Sequence, residues 1–205
     1  MRAPVELFLA SSNRGKLREF RALAKTSQSP LISIEIALLP DFDTLPAFEE
    51  SAPTFAENAA GKALHYSRLR EDLVLADDSG LVVPALGGAP GVHSARYAGA
   101  DAPNSQRIEK LLAVMREKTG EARAAHFMCA IALARNGRAL AVVTDRVDGE
   151  LLESPRGTGG FGYDPVFYFL ALKKTFSELT AAEKNQHSHR GKAFRKLLAA
   201  LSSML

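Results

Sequence analysis

The sequence predicts an α/β fold built on a mixed β-sheet. Short apolar runs, typical of buried strands, alternate along the chain with segments whose apolar residues recur at helical spacing. In addition, Asn136-Gly137 separates the apolar runs 127–134 and 139–147, and Asn-Gly between such runs is a strong signal for a β-hairpin. Because a hairpin pairs its strands antiparallel, some antiparallel pairing is expected in a sheet whose other strands alternate with helices.

The first predicted strand, Val5–Ala10, leads through the polar turn Ser11–Lys16 into a predicted helix. The helix follows from apolar residues at helical spacing, which are Leu17, Phe20, Leu23 and Ala24. A strand, a polar turn and a helix in this order aim backbone N–H groups at an anion. A second strand is predicted at Leu31–Ala37, and the proline-rich and acidic residues 40–53 are predicted to form a loop.

A second helix is predicted over residues 54–70, because Thr54 and Glu57 have the spacing of a capping box. An apolar run, Leu73–Ala76, then predicts a buried strand. We expect this strand to end at Ala76 and a long loop to continue to about Pro103.

The rest of the chain predicts further helices around two more strand regions. Helical spacing of Ile108, Leu111, Leu112 and Met115 predicts an amphipathic helix over 104–118. Beyond the hairpin, Val166–Leu170 predicts a strand, and Thr180 with Glu183 forms a second capping box that opens a short helix. The last helix has one apolar face, formed by Phe194, Leu197, Leu198 and Leu201.

The composition indicates one globular domain over residues 1–205, or two lobes that share a core without a separable linker. Of the 205 residues 46% are hydrophobic, which is enough for a sizeable core. A net charge of +3 is too small to predict nucleic-acid binding, and the N-terminal apolar run is too short for a membrane span or a signal segment. The single cysteine, Cys129, lies in an apolar run and is expected to be buried, which fits a reducing, cytoplasmic setting.

The segment 76–99 has the strongest functional signal. Asp77, Asp78 and Ser79 follow a predicted strand, where ligands gather in open α/β sheets. If the strand continues through the two acids, they point to opposite sides, and a carboxylate here could hold Mg²⁺ or activate water. The alternative is an ordinary Asp-Ser-Gly turn. The glycine-rich segment that follows contains polar residues that we expect to be exposed, namely His93, Ser94, Arg96 and Tyr97.

Two other segments carry candidates for binding phosphate. Ser11, Asn13 and Lys16 lie at a predicted helix N-terminus, which favours an anion. The alternative, which these residues alone favour, is an ordinary N-cap with a solvated lysine. Asn58 and Lys62 are four residues apart and therefore share one helix face. No Walker A motif occurs, which argues against P-loop chemistry.

A glycine-rich segment near residue 160 matches GxGxxG at Gly157, Gly159 and Gly162. We reject the dinucleotide-binding interpretation, because no strand precedes this segment and no helix follows it. The aromatic ring of Phe161 suits stacking on a flat base, or else lies in the core.

A polar segment before the last helix holds Lys184, His189 and Arg190. The two cations could bind a base carbonyl or a phosphate, or could simply lie near Glu178 and Glu183. Histidines in such a segment are expected to be solvated rather than metal-bound, because no further ligand has a suitable spacing.

Five segments together, at 10–16, 54–63, 76–99, 157–167 and 188–194, resemble the inosine triphosphate pyrophosphatase family in their order and residues. The resemblance implies an elongated two-lobed fold around a long twisted mixed sheet, with helices on both faces and a deep central cleft. It also implies a homodimer.

The resemblance assigns roles to individual residues. It implies triphosphate contacts, base contacts, and a general base that also binds Mg²⁺ together with a second acid. The residues implied for the triphosphate are Ser11, Ser12, Asn13, Arg14, Gly15, Lys16, Lys62 and Ser79. Those implied around the purine are Phe161, Gly162, Tyr163 and Asp164, and those for its 6-keto group are Lys184, His189 and Arg190. Asp78 is implied as the general base and a metal ligand, and Glu50 as the second metal ligand.

The implied activity is Mg²⁺-dependent hydrolysis of ITP, dITP and XTP to the monophosphate and pyrophosphate, which keeps these nucleotides out of DNA and RNA. The substrate would be a purine nucleoside triphosphate, with no membrane or nucleic-acid partner. Two alternatives stay open: a pyrophosphatase acting on modified pyrimidine triphosphates, and a nucleotide-binding regulator without turnover.

Overall fold

The computed structural model describes residues 4–26 and 33–203, and within them it confirms an α/β fold. The strands are β1 (Val5–Leu9), β2 (Ile34–Leu38), β3 (Val74–Val82), β4 (Ala124–Arg135), β5 (Arg138–Leu151), β6 (Phe167–Phe169) and β7 (Lys174–Thr175). The α-helices are α1 (Arg14–Thr26), α2 (Phe55–Leu69), α3 (Asn104–Val114), α4 (Ala181–His187) and α5 (His189–Ser202). None of the described helices is long and apolar enough to span a membrane.

The strands form one mixed sheet of seven strands in the order β2-β1-β3-β4-β5-β6-β7. Strand β1 pairs in parallel with β2 and with β3, and α1 and α2 provide the crossovers that parallel pairing requires. Strand β6 pairs antiparallel with β5 and with β7. The predicted mixed sheet is therefore confirmed.

The chain divides into two compact units. Unit 1 comprises the residues up to Asp78, Cys129–Asp145 and the residues from Arg190 onward, and unit 2 comprises Ser79–Met128 and Arg146–His189. The boundaries fall within β3, β4, β5 and α5 rather than in linkers.

The core of unit 1 lies on both faces of its strands, because side chains alternate along a strand. From β4, Cys129, Ile131 and Leu133 belong to the cluster that includes residues of α1 and α5. The alanines between them, Ala130 and Ala132, belong instead to the cluster that includes residues of α2. Within this unit, helices thus cover both faces of the sheet, as predicted.

The core of unit 2 is rich in aromatic residues. The Phe127 ring lies 4.7 Å from that of Phe167 and stacks on that of Phe176 at 5.7 Å, measured between centroids. Buried Arg123 donates to the carbonyls of Leu151 at 2.6 Å and Leu152 at 2.7 Å, which ties the segment before β4 to the end of β5.

The hairpin and the capping signals have the predicted structure. Asn136 and Gly137, with φ of 50° and 71°, form the tight turn between β4 and β5. Thr180 and Glu183 form a reciprocal capping box at the start of α4. Thr54 caps α2 by accepting from the Glu57 N–H at 3.2 Å, while its hydroxyl donates to the Glu57 carboxylate at 2.6 Å.

The prediction for the end of β3 is wrong. This strand continues through both acids to Val82, six residues beyond the expected end at Ala76. The acids stay within the strand because side chains of unit 1 contact each of them. The expected loop up to Pro103 is correspondingly shorter and contains two 3₁₀ segments, Pro84–Leu86 and Gly91–Arg96.

Other boundaries differ by a few residues. Strands β4 and β5 are longer than predicted, β6 is shorter, and the two-residue strand β7 has no sequence signal. Of the predicted second strand, residues 31 and 32 lie outside the described residues, and the remainder corresponds to β2.

We expect Gly80→Ala to destabilise the protein. A Cβ atom at Gly80 would lie 2.3 Å from Ser94 Oγ and 2.5 Å from the Gly91 carbonyl oxygen, so β3 and the 3₁₀ segment would have to separate. Overpacking of this kind costs about 1–3 kcal/mol of unfolding free energy, measurable by urea denaturation. Val142→Ala, at a position that is 44% exposed, is the control and should change stability by about 0.5 kcal/mol or less. Equal stability of Gly80→Ala and wild type would contradict the close approach.

Candidate active site

The polar turn after β1 caps the N-terminus of α1, which agrees with one of the two interpretations of the sequence. The Asn13 side-chain oxygen accepts from the Gly15 N–H at 2.9 Å and from the Lys16 N–H at 3.1 Å. Asn13 in turn donates its own N–H to Ser11 Oγ at 3.1 Å. The cap places the positive end of the α1 dipole at the end of β1, where an anion is favoured.

Lys16 is not solvated, contrary to the simpler interpretation of the turn. Its Nζ lies 3.0 Å from Asp77 Oδ1, and its side chain is 16% exposed. The other oxygen of Asp77, Oδ2, lies 3.3 Å from the Arg190 guanidinium, which also contacts the Glu19 carboxylate. The cluster thus alternates cation and anion, from Lys16 through Asp77 and Arg190 to Glu19.

Asp77 stays ionised in this cluster. Burial raises the pKa of Asp77, but the positive charges of Lys16, Arg190 and Lys62 outweigh burial and hold the pKa well below its ordinary value.

Asp78 points to the opposite face of β3, as the strand period predicts, and meets α2. The buried Asn58 side chain donates to Asp78 Oδ2 at 3.1 Å and is held in place by the backbone of Ala52. On the same face of α2, Lys62 donates to the Asp77 carbonyl at 2.9 Å and pairs with Glu50. Asn58 and Lys62 therefore share one face of α2, as predicted.

The environment of Asp78 differs from that of its neighbour. Burial and, second, the negative charge of Glu50 raise the pKa of Asp78 to about 6, against the smaller opposing effects of Lys16 and Lys62. A carboxylate with a pKa near the working pH suits a general base.

Asp78 and Glu50 have the donor chemistry that Mg²⁺ prefers. Both supply carboxylate oxygens. Burial and, second, the charge of Glu50 disfavour the ionised form of Asp78, and a bound divalent cation would favour it. Asp77 is less suited, because its two oxygens face Lys16 and Arg190. In the part of the chain that the structure describes, no three His, Cys, Asp or Glu side chains form a preformed cage. Mg²⁺ commonly uses one or two carboxylates with substrate phosphates and water, so this pair fits.

In unit 2, the 161–164 segment forms a closed loop around Asp164. The carboxylate of Asp164 accepts from the Phe161 N–H at 2.7 Å and from Lys184 Nζ at 2.5 Å. The same ammonium lies 4.8 Å from the centroid of the half-buried Phe161 ring. Gly160 is required at φ 71°, since a Cβ atom there would lie 2.1 Å from Asp164 Oδ2. The ammonium of Lys184, from α4, therefore lies over the ring of Phe161, and an aromatic ring with a donor close by is suited to a flat polar base.

Tyr163 anchors that loop. It is 3% exposed, its hydroxyl donates to the Ser94 carbonyl at 3.0 Å, and burial raises the pKa of the phenol. The expectation that Ser94 is exposed is wrong: its hydroxyl accepts from the Leu81 N–H at 2.9 Å and donates to the Gly91 carbonyl at 2.6 Å. His93 and Arg96 of the same segment are exposed, as expected, whereas Tyr97 is partly buried.

His189 is not solvated, which corrects the sequence-based expectation. Its ring stacks on Phe127 with centroids 4.7 Å apart, and the residue is 4% exposed. The reason is its place as the first residue of α5, where its ring enters the aromatic core of unit 2. His187 is half-buried, with its ring 5.5 Å from that of Phe169.

The cations near the last helix have partners other than the acids that the sequence suggested. Lys184 pairs with Asp164, and Arg190 pairs with Glu19 and Asp77. The suggested acids have other partners: Glu183 pairs with Lys174 and Glu178 with Arg156.

The structure therefore groups the predicted site residues into two sets. Unit 1 holds the turn residues of α1 together with Glu50, Lys62, Asp78 and Arg190, and unit 2 holds Ser79, the 161–164 loop, Lys184 and His189. Within the turn, Ser12 and Arg14 are exposed, and Gly15 is partly buried. Glu19 was missed by the sequence analysis; the only signal was a lone acid three residues after Lys16 in a basic helix.

The fold and the site define an α/β protein in which a capped helix N-terminus follows the first strand and two adjacent carboxylates are buried on a neighbouring strand. The chain belongs to the Ham1 family, whose profile matches residues 7–200.

Relatives of known name and structure cover nearly the whole chain. A dITP/XTP pyrophosphatase of Geobacillus kaustophilus is 52% identical over 193 residues, which cover 94% of this chain and 92% of that protein. One of Gloeobacter violaceus is 49% identical over 197 residues, covering 96% and 94%. The solved structure of a HAM1 protein from Coxiella burnetii matches with a TM-score of 0.83 at 39% identity, covering 97% of this chain and 99% of that chain.

We expect Asp78→Asn to stabilise the metal-free protein at alkaline pH. The folded pKa of Asp78, about 6, lies above its unfolded value, so ionisation costs stability, and the cost grows as the pH rises through the interval between the two values. The variant should gain about 1–2 kcal/mol at pH 8 and little at pH 4, measured by thermal denaturation in EDTA. A gain of equal size at both pH values would rule out a titration effect.

The adjacent substitution, Asp77→Asn, should have the opposite effect. The depressed pKa of Asp77 means that its stabilising contribution is present above the unfolded pKa and is lost as the pH falls through the folded one. Because the substitution leaves partly buried Lys16 and buried Arg190 facing a neutral amide, we expect a loss of about 3 kcal/mol at pH 7 that shrinks below about pH 4. Urea denaturation at several pH values measures it, and unchanged stability at pH 7 would contradict the ion cluster.

Proposed function

We propose that the chain is a nucleoside-triphosphate pyrophosphatase that hydrolyses ITP, dITP and XTP to the monophosphate and pyrophosphate. Membership of the Ham1 family and similarity to two proteins named dITP/XTP pyrophosphatase support the proposal. The single observation that carries it is the contrast between two adjacent acids. Asp77 holds a lysine at a helix N-terminus, and Asp78 has a raised pKa beside a second carboxylate.

Most of the residues assigned to the triphosphate belong to unit 1. The backbone and polar side chains of the α1 turn, residues 11–16, supply donors at the positive end of the helix dipole. Lys16 and Lys62 supply positive charge, which stabilises the charge that develops on the pyrophosphate leaving group. Ser79 follows Asp78 on the same strand and supplies a hydroxyl.

We assign Asp78 as the general base that accepts a proton from the attacking water. With a pKa of about 6 it is largely ionised at neutral pH and can accept that proton as the water oxygen bonds to the α-phosphorus and pyrophosphate leaves. Glu50 and Asp78 would hold Mg²⁺, which when bound neutralises phosphate charge. Lys62, paired with Glu50, keeps that carboxylate oriented.

The base is assigned to the 161–164 loop with Lys184. The half-buried ring of Phe161 offers a stacking surface, and the neighbouring ammonium of Lys184 can donate to a 6-keto oxygen. Adenine carries a donor at that position, so binding it would set donor against donor. His189 supports this loop indirectly, because its ring is packed in the core of unit 2.

We also propose that the protein acts as a homodimer in the cytoplasm. Resemblance to the family supports the dimer, and the buried lone cysteine fits a reducing compartment. Light scattering coupled to size exclusion tests the dimer, and a monomer at micromolar concentration would contradict it.

The test of the proposed function is a hydrolysis assay with Mg²⁺ at mildly alkaline pH. ITP, XTP and dITP should give monophosphate and pyrophosphate, while ATP, GTP and dTTP should be poor substrates. Orthophosphate as first product would overturn attack at the α-phosphorus, and preferred hydrolysis of modified pyrimidine triphosphates would overturn the base assignment. Tight ITP binding without turnover would instead indicate a regulator.

We expect Asp78→Asn to lower kcat for ITP by at least about 100-fold, because removing a general base typically costs that much. ITP binding, measured by calorimetry, should change far less. The matched control is Asp148→Asn, since the Asp148 side chain is 69% exposed and pairs with Arg146 on the surface of β5. Normal turnover by Asp78→Asn would refute the assigned role.

A further inference from the structure

We infer that Asn58 is a positioning residue that joins the two carboxylates assigned to the metal. Its side-chain amide binds Asp78 directly, and through the backbone of Ala52 it holds the segment that carries Glu50. The inference rests on the proposed function and adds to it a residue to which no contact with the metal or the nucleotide is assigned.

The segment that carries Glu50 depends on α2 for its position. Residues 45–54 lie between a 3₁₀ segment and α2 and contain no helix or strand of their own. Before Glu50, the Phe48 N–H donates to the Tyr66 hydroxyl at 3.3 Å. The Phe48 ring lies so close to α2 that a Cβ atom at Gly61 would be 2.6 Å from it. A contact on the other side of Glu50 is therefore needed to fix this stretch of backbone.

Asn58 supplies the contact that follows Glu50. Its Oδ1 accepts from the Ala52 N–H at 2.9 Å, and its Nδ2 donates to the Ala52 carbonyl at 3.2 Å. One fully buried side chain thus binds both polar groups of one backbone residue. Because Ala52 is only two positions from Glu50, these two hydrogen bonds restrict where the Glu50 carboxylate can lie.

The remaining N–H of the Asn58 amide is used on Asp78. Nδ2 donates to Asp78 Oδ2 at 3.1 Å, whereas Oδ1 of Asp78 accepts no hydrogen bond from the residues that the structure describes. A flipped amide would set its oxygen against the Asp78 carboxylate and its NH₂ group against the Ala52 N–H, so only one orientation satisfies all three contacts. Asn58 therefore aligns one oxygen of Asp78 and leaves the other for a ligand.

These contacts prepare the two carboxylates before a metal binds. Mg²⁺ demands near-ideal octahedral geometry, and ligands that are already held in place lose less conformational freedom on binding. Lys62 pairs with the Glu50 carboxylate but does not hold the backbone of that segment. Without the Asn58 amide, we expect Glu50 and Asp78 to move independently and the affinity for the metal to fall.

The first test is the binding of Mn²⁺ alone, because Mn²⁺ shares the preference of Mg²⁺ for octahedral oxygen sites. Electron paramagnetic resonance of the free ion gives its Kd. Asn58→Leu keeps a similar side-chain shape without hydrogen-bonding atoms, and its Kd should rise at least about tenfold, as is typical when a group that orients metal ligands is removed. An unchanged Kd would overturn the inference.

The matched control is Ser67→Ala, which also removes a buried polar group of α2. The Ser67 hydroxyl accepts from the Gly137 N–H at 3.1 Å, so its loss weakens the contact of the helix with the β4–β5 turn and not with the Glu50 segment. Its Kd for Mn²⁺ should stay within about twofold of wild type. An equal rise in both variants would show general loosening of α2 and would also overturn the inference.

The second measurement is amide hydrogen exchange in the metal-free protein. Exchange at Ala52 should be at least about tenfold faster in Asn58→Leu than in wild type or Ser67→Ala, because its N–H loses a buried acceptor. The Ala10 N–H, bonded to the Leu75 carbonyl at 2.8 Å, is the internal reference, since general unfolding would speed its exchange as well. Unchanged exchange at Ala52, relative to Ala10, would refute the hold on the Glu50 segment.

Failure of the proposed function is a separate result, because both measurements are made without nucleotide. It would appear as wild-type protein that binds Mn²⁺ yet hydrolyses none of the nucleotides. Wild-type protein whose Mn²⁺ binding does not depend on Glu50 and Asp78, as tested with Glu50→Gln and Asp78→Asn, would instead overturn the inference.

Discussion

The buried carboxylate of Asp77 is the constraint on which unit 1 depends. An ionised group inside a sheet is costly unless cations compensate it, so Lys16 from α1 and Arg190 from α5 must converge on β3. The same two helices also touch through the rings of Phe20 and Phe194, whose centroids are 5.7 Å apart. Apolar packing and charge compensation therefore fix one arrangement of helices, and that arrangement places the N-terminus of α1.

Asp78, the next residue along β3, has a different role from Asp77. Asp78 faces α2, where Asn58 donates a hydrogen bond and the charge of Glu50 opposes ionisation. The alternation of a strand thus separates a carboxylate that maintains structure from one that is kept reactive at a cost in stability. Small residues of α2, such as Ala59 and Ala63, belong to the core cluster on this face and let the helix lie close to the strand.

Much of this organisation could be predicted from sequence, because local signals encode it. Asn136-Gly137, the second capping box and the helix after the first strand are all features of neighbouring residues. The continuation of β3 was not predictable in this way, since a local Asp-Ser-Gly signal favours a turn. The partners that keep these acids in the strand come from distant segments, and Arg190 and Glu19 are separated by 171 positions. Ser94 was misjudged for the same reason, because its burial depends on Leu81 and Tyr163.

The position of Cys129 has a consequence for the conditions the protein can withstand. It is the single cysteine of the chain, it is fully buried on β4, and burial raises the pKa of its thiol. Oxidants and nitrosating agents act on accessible thiolates, and the latter also convert the amino groups of purines to keto groups. A protein that removes deaminated nucleotides would be needed most under such chemical stress, and the one cysteine of this chain is buried away from it.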